Sequence, residues 1–483
     1  MYKKGAFFFL FILAVVVNRL FTGCAVIVPP GGGPRDTLPP VLISADPKDS
    51  STNFSAKQVT LTFNEYVQLD DIFTNLLVSP IPKNIPTVQS NLQRITIRIK
   101  DTLEPNTTYS YNFGRAIKDV NEGNQYKNFT YVFSTGSYID SGTISGKVIL
   151  AETGKTDSTL IAILHKNLSD TAVEKIAPRY YAKLDSAGKF TFKYLPTDTF
   201  NVFVIPNEYV KKYVDSTQMF AFLDHPVVAT ANKQKPLIFY AYEEAKPEKK
   251  KSNTGSGGNA ANNKNLEKKK AEEKKKQLKV SVTLDNGKQD ILSNMQLSFS
   301  KPLKTFDSAK IILTDTSYHP IPDVKIFHNP LDTTYSHFFL QNTWQEDFPY
   351  VLVVKKDAAV DIADSSLNKN DTIKFSTKKE AEYAGIMLRF PNVDLSKNPV
   401  LQLYQSDKLV DSIPIPANKQ ITRKLYHSGD YELRILYDLN KNGKWDPGNY
   451  KKHLQPEVVE AIKEKFTFKP NWSNEWDNIK VAE

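Results

Sequence analysis

Val59-Thr60-Leu61-Thr62-Phe63 alternates apolar and hydroxyl side chains one by one. An extended strand sends successive side chains to opposite faces, so Val59, Leu61 and Phe63 share one face and the threonines the other. β-Branched and aromatic residues suit such a pleated, half-buried surface. Outward from this stretch the alternation returns in Ile95-Thr96-Ile97-Arg98-Ile99, Tyr109-Ser110-Tyr111-Asn112-Phe113 and Phe129-Thr130-Tyr131-Val132-Phe133. Upstream, Val41-Leu42-Ile43-Ser44-Ala45-Asp46 is a strand that stops at Pro47. About 100 residues of short alternating strands separated by turn residues predict an antiparallel β-sandwich.

The pattern then changes and afterwards repeats. Gly142-Thr143-Ile144-Ser145-Gly146-Lys147-Val148 opens a second series, continued by Phe190-Thr191-Phe192-Lys193-Tyr194-Leu195-Pro196 and Asp198-Thr199-Phe200-Asn201-Val202-Phe203. Met295-Gln296-Leu297-Ser298-Phe299 echoes residues 59–63, and Ala359-Val360-Asp361-Ile362 echoes Ile117-Lys118-Asp119-Val120. Asp119 and Asp361 stand 242 positions apart, as do Phe133 and Phe375, so the echoes share one offset. The second series returns as Leu425-Tyr426-His427-Ser428-Gly429-Asp430-Tyr431-Glu432-Leu433. The chain is therefore expected to be all-β, with tandem antiparallel β-sandwich modules in the order A–B–linker–A′–B′. Expected boundaries are 37–137, 138–244, 280–378 and 379–483 for the four modules and 245–279 for the linker.

Two resemblances attach to these modules. The Pro-Pro-Val opening at 39–41, the Leu-Thr-Phe-Asn-Glu strand at 61–65 and the closing Phe133-Ser134-Thr135-Gly136 resemble the SbsA-type bacterial Ig-like domain. Module B, with Gly-Lys-Phe-Thr-Phe at 188–192 followed by Leu195-Pro196, is similar to the Cna-B-like or carboxypeptidase-regulatory-like sandwich, although Asp198 stands where that pattern has glycine. B′ carries the expected Gly429. The second resemblance implies a module without catalytic residues of its own.

The formal net charge of +10 over 483 residues is misleading as a guide to partners. Twelve Lys against four Glu in residues 246–279 give +8, and the three basic residues of 1–23 give +3, which leaves the remainder at −1. The basicity lies in a linker and a leader rather than on a folded face, and nucleic acid is not an expected partner. Residues 252–263 are Gly/Ser/Asn-rich coil formers. Residues 264–278 hold helix formers, but their few apolar residues, Leu266, Ala271 and Leu278, give a helix no face to bury.

The N-terminus organises the location argument. Lys3 and Lys4 precede a thirteen-residue apolar run at 5–17, too short for a span of about 20 residues and suited to a secretory leader. Leu20-Phe21-Thr22-Gly23-Cys24 follows and contains the single cysteine of the chain. It resembles a bacterial lipobox, which implies cleavage after residue 23, acylation of Cys24 and a membrane partner held through lipid. Residues 24–36, rich in Pro and Gly, form a tether of at most ~40 Å. The region just after Cys24 lacks acidic residues, which points to the periplasmic face of an outer membrane rather than the cell surface.

The search for chemistry is short. None of the seven histidines sits in a His-Glu-x-x-His or comparable metal spacing, and there is no Gly-x-Ser-x-Gly elbow or phosphate loop. No enzyme activity is expected. One loop, residues 438–449, places Asp438, Asn440, Asn442, Lys444 (through its carbonyl), Asp446 and Asn449 at positions 1, 3, 5, 7, 9 and 12, with Gly443 at 6. This reads either as a weak calcium loop of ~10⁻⁴–10⁻³ M affinity or as a tight turn in which Asn442-Gly443 supplies positive φ. No other cofactor is expected. The loop together with Gln455-Pro456-Glu457 and Asn471-Trp472 resembles the C-terminal ends of Bacteroidota envelope lipoproteins. Trp445, Trp472 and Trp476 either line a glycan groove or cover the open end of a sandwich. The resulting expectation is a structural or protein-interaction role among envelope proteins, with a glycan-binding or adhesive surface lipoprotein as the alternative.

Overall fold

In the computed structural model the described residues are 35–208, 211–232, 234–244 and 277–481. They form four β-sandwich units that fall into two pairs of matching topology. In A, strands Leu42–Asp46, Gln58–Phe63, Arg94–Arg98 and Thr87–Asn91 lie side by side in that order. They face a second sheet of Leu77–Ser79, Thr108–Asn112 and Thr130–Ser134. A′ repeats the first sheet with Val280–Val282, Met295–Phe299, His337–Gln341 and Lys325–His328. It repeats the second with Ile311–Thr314, Pro349–Val354 and Asp371–Thr377, edged by Lys288–Gln289. The alternation is realised as expected: Val59, Leu61 and Phe63 are at most 1% exposed and pack with Ile95, Ile97 and Phe133.

The duplication extends to single hydrogen bonds. Tyr109 Oη accepts from the Glu104 N–H at 2.9 Å, and Tyr350 Oη from the Gln345 N–H at 3.3 Å. Thr135 Oγ1 donates to the Glu104 carbonyl at 2.7 Å, and Thr377 Oγ1 to the Gln345 carbonyl at 2.5 Å. Asp119 and Asp361, both buried, each accept from N–H groups of the turn that follows them. A buried carboxylate needs such donors: three N–H groups serve Asp119, while two N–H groups and the Lys301 ammonium at 2.9 Å serve Asp361.

B and B′ share a different plan. In B, Gly142–Leu150 lies between Lys189–Leu195 (antiparallel) and Leu237–Ala241 (parallel). In B′, Tyr383–Arg389 lies between Gln420–His427 (antiparallel) and Ser473–Trp476 (parallel). The opposite sheets run Tyr180–Lys183, Leu160–His165, Thr199–Pro206, Ala221–Phe222 in B and Lys408–Pro414, Pro399–Gln405, Gly429–Tyr437, Val458–Phe468 in B′.

Three features depart from the expected half-buried pattern. Strand Leu160–His165 is buried at all six positions. Leu160, Ala162 and Leu164 face the B core, while Ile161 and Ile163 belong to a second cluster that Tyr450 of B′ completes. Thr108, Ser110 and Ser134 are buried although they alternate with core residues, in a sheet of A whose strands contact Lys189–Leu195 and Tyr180–Lys183 of B. Leu278, assigned to the linker as part of a helix with nothing to bury, is 2% exposed, bridges Leu367 and packs in the A′ core. A′ therefore begins before the expected boundary at 280. The remaining linker assignment, 245–276, lies outside the described residues.

The seam between B and B′ is built on Tyr450. Its ring lies 4.9 Å from Phe220 and 5.1 Å from Phe222, and its hydroxyl donates to the Asp170 carbonyl at 2.7 Å. The backbone N–H of Tyr450 donates to Glu244 at 2.8 Å, and that of Val459 to the Ala151 carbonyl at 2.8 Å. The approach is close: a Cβ on Gly154, which has φ +68°, would fall 2.5 Å from the Ala461 nitrogen. Packing an aromatic of this size at a seam is worth ~3 kcal/mol.

Candidate functional site

Cys24 lies outside the described residues, as does most of the tether. Its last two residues, Arg35 and Asp36, are held on A. Arg35 donates to the Glu122 carbonyl at 3.1 Å, and the Asp36 carbonyl accepts from Asn124 at 3.1 Å. The chain thus enters A beside the Asp119 turn.

The 438–449 loop leaves strand Gly429–Tyr437 and returns into Val458–Phe468. Asp438 is 3% exposed, and its two carboxylate oxygens accept from the N–H groups of Asn442 (3.1 Å) and Gly443 (2.7 Å). Asn440 and Asn442 use their side-chain oxygens on the N–H groups of Asn442 (3.0 Å) and Lys444 (2.7 Å). Both asparagine amides donate to Asp446 Oδ2, at 2.5 and 2.6 Å. Left-handed φ occurs at Lys441 (63°) and Gly443 (74°), so the expectation of positive φ at Asn442 is corrected to its neighbour Lys441. A lysine accepts that conformation here because the Asp438 carboxylate gathers the N–H groups just beyond it.

One residue that sequence reasoning gave no role completes the loop. Glu457, 6% exposed, accepts from Leu439 N–H at 2.8 Å and Asp446 N–H at 3.2 Å. Its carbonyl takes the indole N–H of Trp445 at 2.7 Å. Burial pushes the Glu457 carboxyl above its ordinary range, and the charge of Asp438 adds to that. The only signal in the sequence was its place directly after Gln455-Pro456. The loop brings Asp438, Asn440, Asn442, Lys444 and Asp446 together, and the side-chain oxygens of its two aspartates and two asparagines are engaged by the loop's own donors. Among the described residues no three His, Cys, Asp or Glu side chains converge as metal ligands would. The geometry favours a self-closed turn that positions the next residues, Asn449 and Tyr450, on Glu244 of B.

The tryptophans do not share one surface. Trp445 packs on Val400, Leu436 and Val459, and Trp476 on Phe466 and Phe468. Trp472 is 65% exposed, with the Lys469 ammonium 5.5 Å from its ring. Two histidines reach across unit boundaries instead: His427 of B′ to Asp290 of A′ at 2.5 Å, and His453 of B′ to Asp170 of B at 3.1 Å. Tyr383 also donates to Asp290, at 2.7 Å. The A–B junction uses Arg179, which grips Glu104 with both terminal nitrogens at 2.7 and 2.6 Å. Nothing local marks these residues in the sequence, because each partner lies at least 75 positions away.

Residues 36–135 match the bacterial Ig-like domain family, so the chain contains a domain of that kind. No curated protein matches the chain. Among solved structures, the Bacillus anthracis TIE protein is similar at 11% identity over 94% of this chain and 76% of that one, with a TM-score of 0.17. Native alpha-2-macroglobulin from Escherichia coli, spanning domains MG0-NIE-MG1, is similar at 13% identity over 40% and 90%, with a TM-score of 0.19. BcpA, the major pilin subunit of Bacillus cereus, is similar at 10% identity over 71% and 99%, with a TM-score of 0.16.

Proposed function

We propose that this Ig-like-domain-containing chain is a non-enzymatic protein of the cell envelope, lipid-anchored through Cys24, with a structural or protein-interaction role. One observation carries the reading. Titratable side chains at the junctions tie the chain's own units together: Asp290 with His427 and Tyr383, Asp170 with His453, and Glu244 with Tyr450. A chain built this way is a jointed bracket that holds other molecules at a set distance from its attachment point. Among the described residues no helix is long and apolar enough to cross a membrane. A lipid on Cys24 is the attachment this reading assigns. The tether, free of acidic residues just after Cys24, favours the periplasmic face of the outer membrane. Phase partition in detergent tests the anchor: the wild-type chain enters the detergent phase and Cys24→Ala the aqueous phase. Equal partition of the two would overturn the anchor. Protease added to intact cells should leave the chain whole, and its digestion would reverse the assigned face.

A further inference from the structure

A cavity of ≈650 Å³ opens at the A–B junction. Its walls are apolar (Ile72, Leu76, Val78 and Val88 among them), and its rim exposes Phe73 (87%) and Ile85 (62%). The volume lies within the range of small-molecule sites, and large apolar side chains left this exposed around a concavity mark a binding surface. Lys83, Lys100 and Lys211 also line it, and no lining side chain is a carboxylate. Among the described residues none of the three lysines forms an ion pair. Lys211 meets only neutral oxygens, of Asn207 and the Glu208 carbonyl, at 3.4 and 3.3 Å, and its ammonium stands 4.9 Å from the Tyr181 ring. Lys183 lies close enough that burial and its charge together push Lys211 below its ordinary range. Lys83 has the charges of Asp101 and Glu104 nearby, outside the cavity lining. An apolar trough bordered by three lysines calls for an occupant with an apolar body and an anionic end.

The backbone of 80–86, which forms one wall, says which kind. Pro80, Pro82 and Pro86 have no N–H. The N–H of Ile81 donates to Arg179, and those of Lys83 and Asn84 to Asp101. Six of these seven residues therefore offer a docking peptide no donor. Along this wall a peptide would find few backbone donors for its carbonyls, whereas an acyl chain has none to satisfy.

We propose that the A–B cavity binds a single-chain anionic amphiphile, with its acyl chain along the Phe73–Ile85 wall and its head group among Lys83, Lys100 and Lys211. The proposal is independent of whether Cys24 is acylated. Isothermal titration of the purified full chain with palmitate, with a lysophosphatidylglycerol and with the uncharged methyl ester of palmitate tests it. The expected result is saturable binding of one anionic amphiphile per chain, with the ester weaker by about tenfold or more, the size of one lost charged contact. Comparison of the carboxylate and phosphate heads distinguishes a free fatty acid from a lipid source. Ile85→Glu should abolish binding and Lys100→Ala should weaken it. Both positions are exposed, so circular dichroism should stay native, and Leu331→Glu, on a distant exposed site, should bind as wild type. Equal affinity for acid and ester, binding unchanged by Ile85→Glu, or no saturable binding would each overturn the proposal. So would preferential binding of an acidic peptide over palmitate.

Discussion

At the scale of the residue, one buried and one half-buried group give the fold a pH dependence with separate windows. His165 is 2% exposed, its Nε2 lacks a hydrogen-bond partner, and burial holds it at about 4 instead of 6.5. Its folded value is depressed, so the full stability is present above 6.5 and is lost as pH falls toward 4. The difference corresponds to about 3 kcal/mol. Asp290 responds lower. Burial raises it, but hydrogen bonds from His427, Tyr383 and the Leu292 N–H together bring it to about 2 from 3.8. That contribution, about 2 kcal/mol, is present above 3.8 and is lost as pH falls through 2. Denaturant melts between pH 7 and 2 should therefore weaken in two steps. His165→Leu should flatten the upper step and Asp290→Asn the lower. An upper step that survives in His165→Leu would assign it to another group.

At the scale of the element, the 438–449 loop behaves as a bracket for the residues that follow it. Asp438 and Glu457 each draw in two N–H groups, which sets the path of the chain into the short turn Tyr450–Lys452. Calcium would have to share oxygens that already accept hydrogen bonds, with two charged ligands from the expected set. Millimolar calcium should leave the melting temperature of the full chain where it is. A rise that Asp438→Ala removes and Lys441→Ala retains would establish a calcium loop, because a ligand of the folded state stabilises by mass action.

At the scale of the whole molecule, the sequence alone predicts two stable halves joined by a lysine-rich linker, whereas the structure joins B to B′ directly. Limited trypsin is expected to cut first among the lysines of 246–276. The nicked fragments should then co-elute on gel filtration, held by Tyr450 in its pocket and by the Val459–Ala151 hydrogen bond. Tyr450→Ala should cost the seam ~3 kcal/mol and let the nicked halves separate. Separation of the wild-type halves at the same concentration would show that the seam is too weak to count.

The all-β class and the core faces were legible from stretches such as 59–63, 95–99 and 295–299, because side-chain alternation is a local property of an extended chain, and the four-unit order from the return of both series further along it. The loop of Asp438, Asn440, Asn442, Lys444 and Asp446 was legible for the same reason, since its members lie within nine residues. Only the tertiary structure decided that Leu278 belongs to a core, that Glu457 closes the loop and that strand Leu160–His165 is covered on both faces. Tyr450 is the clearest case. It sits in Asn449-Tyr450-Lys451-Lys452-His453, a run with the look of solvent-facing surface, yet it is buried against residues more than 220 positions away. Contacts between units are made by outward faces, where apolar and polar residues mix without a period, so no pattern along the chain announces the partner.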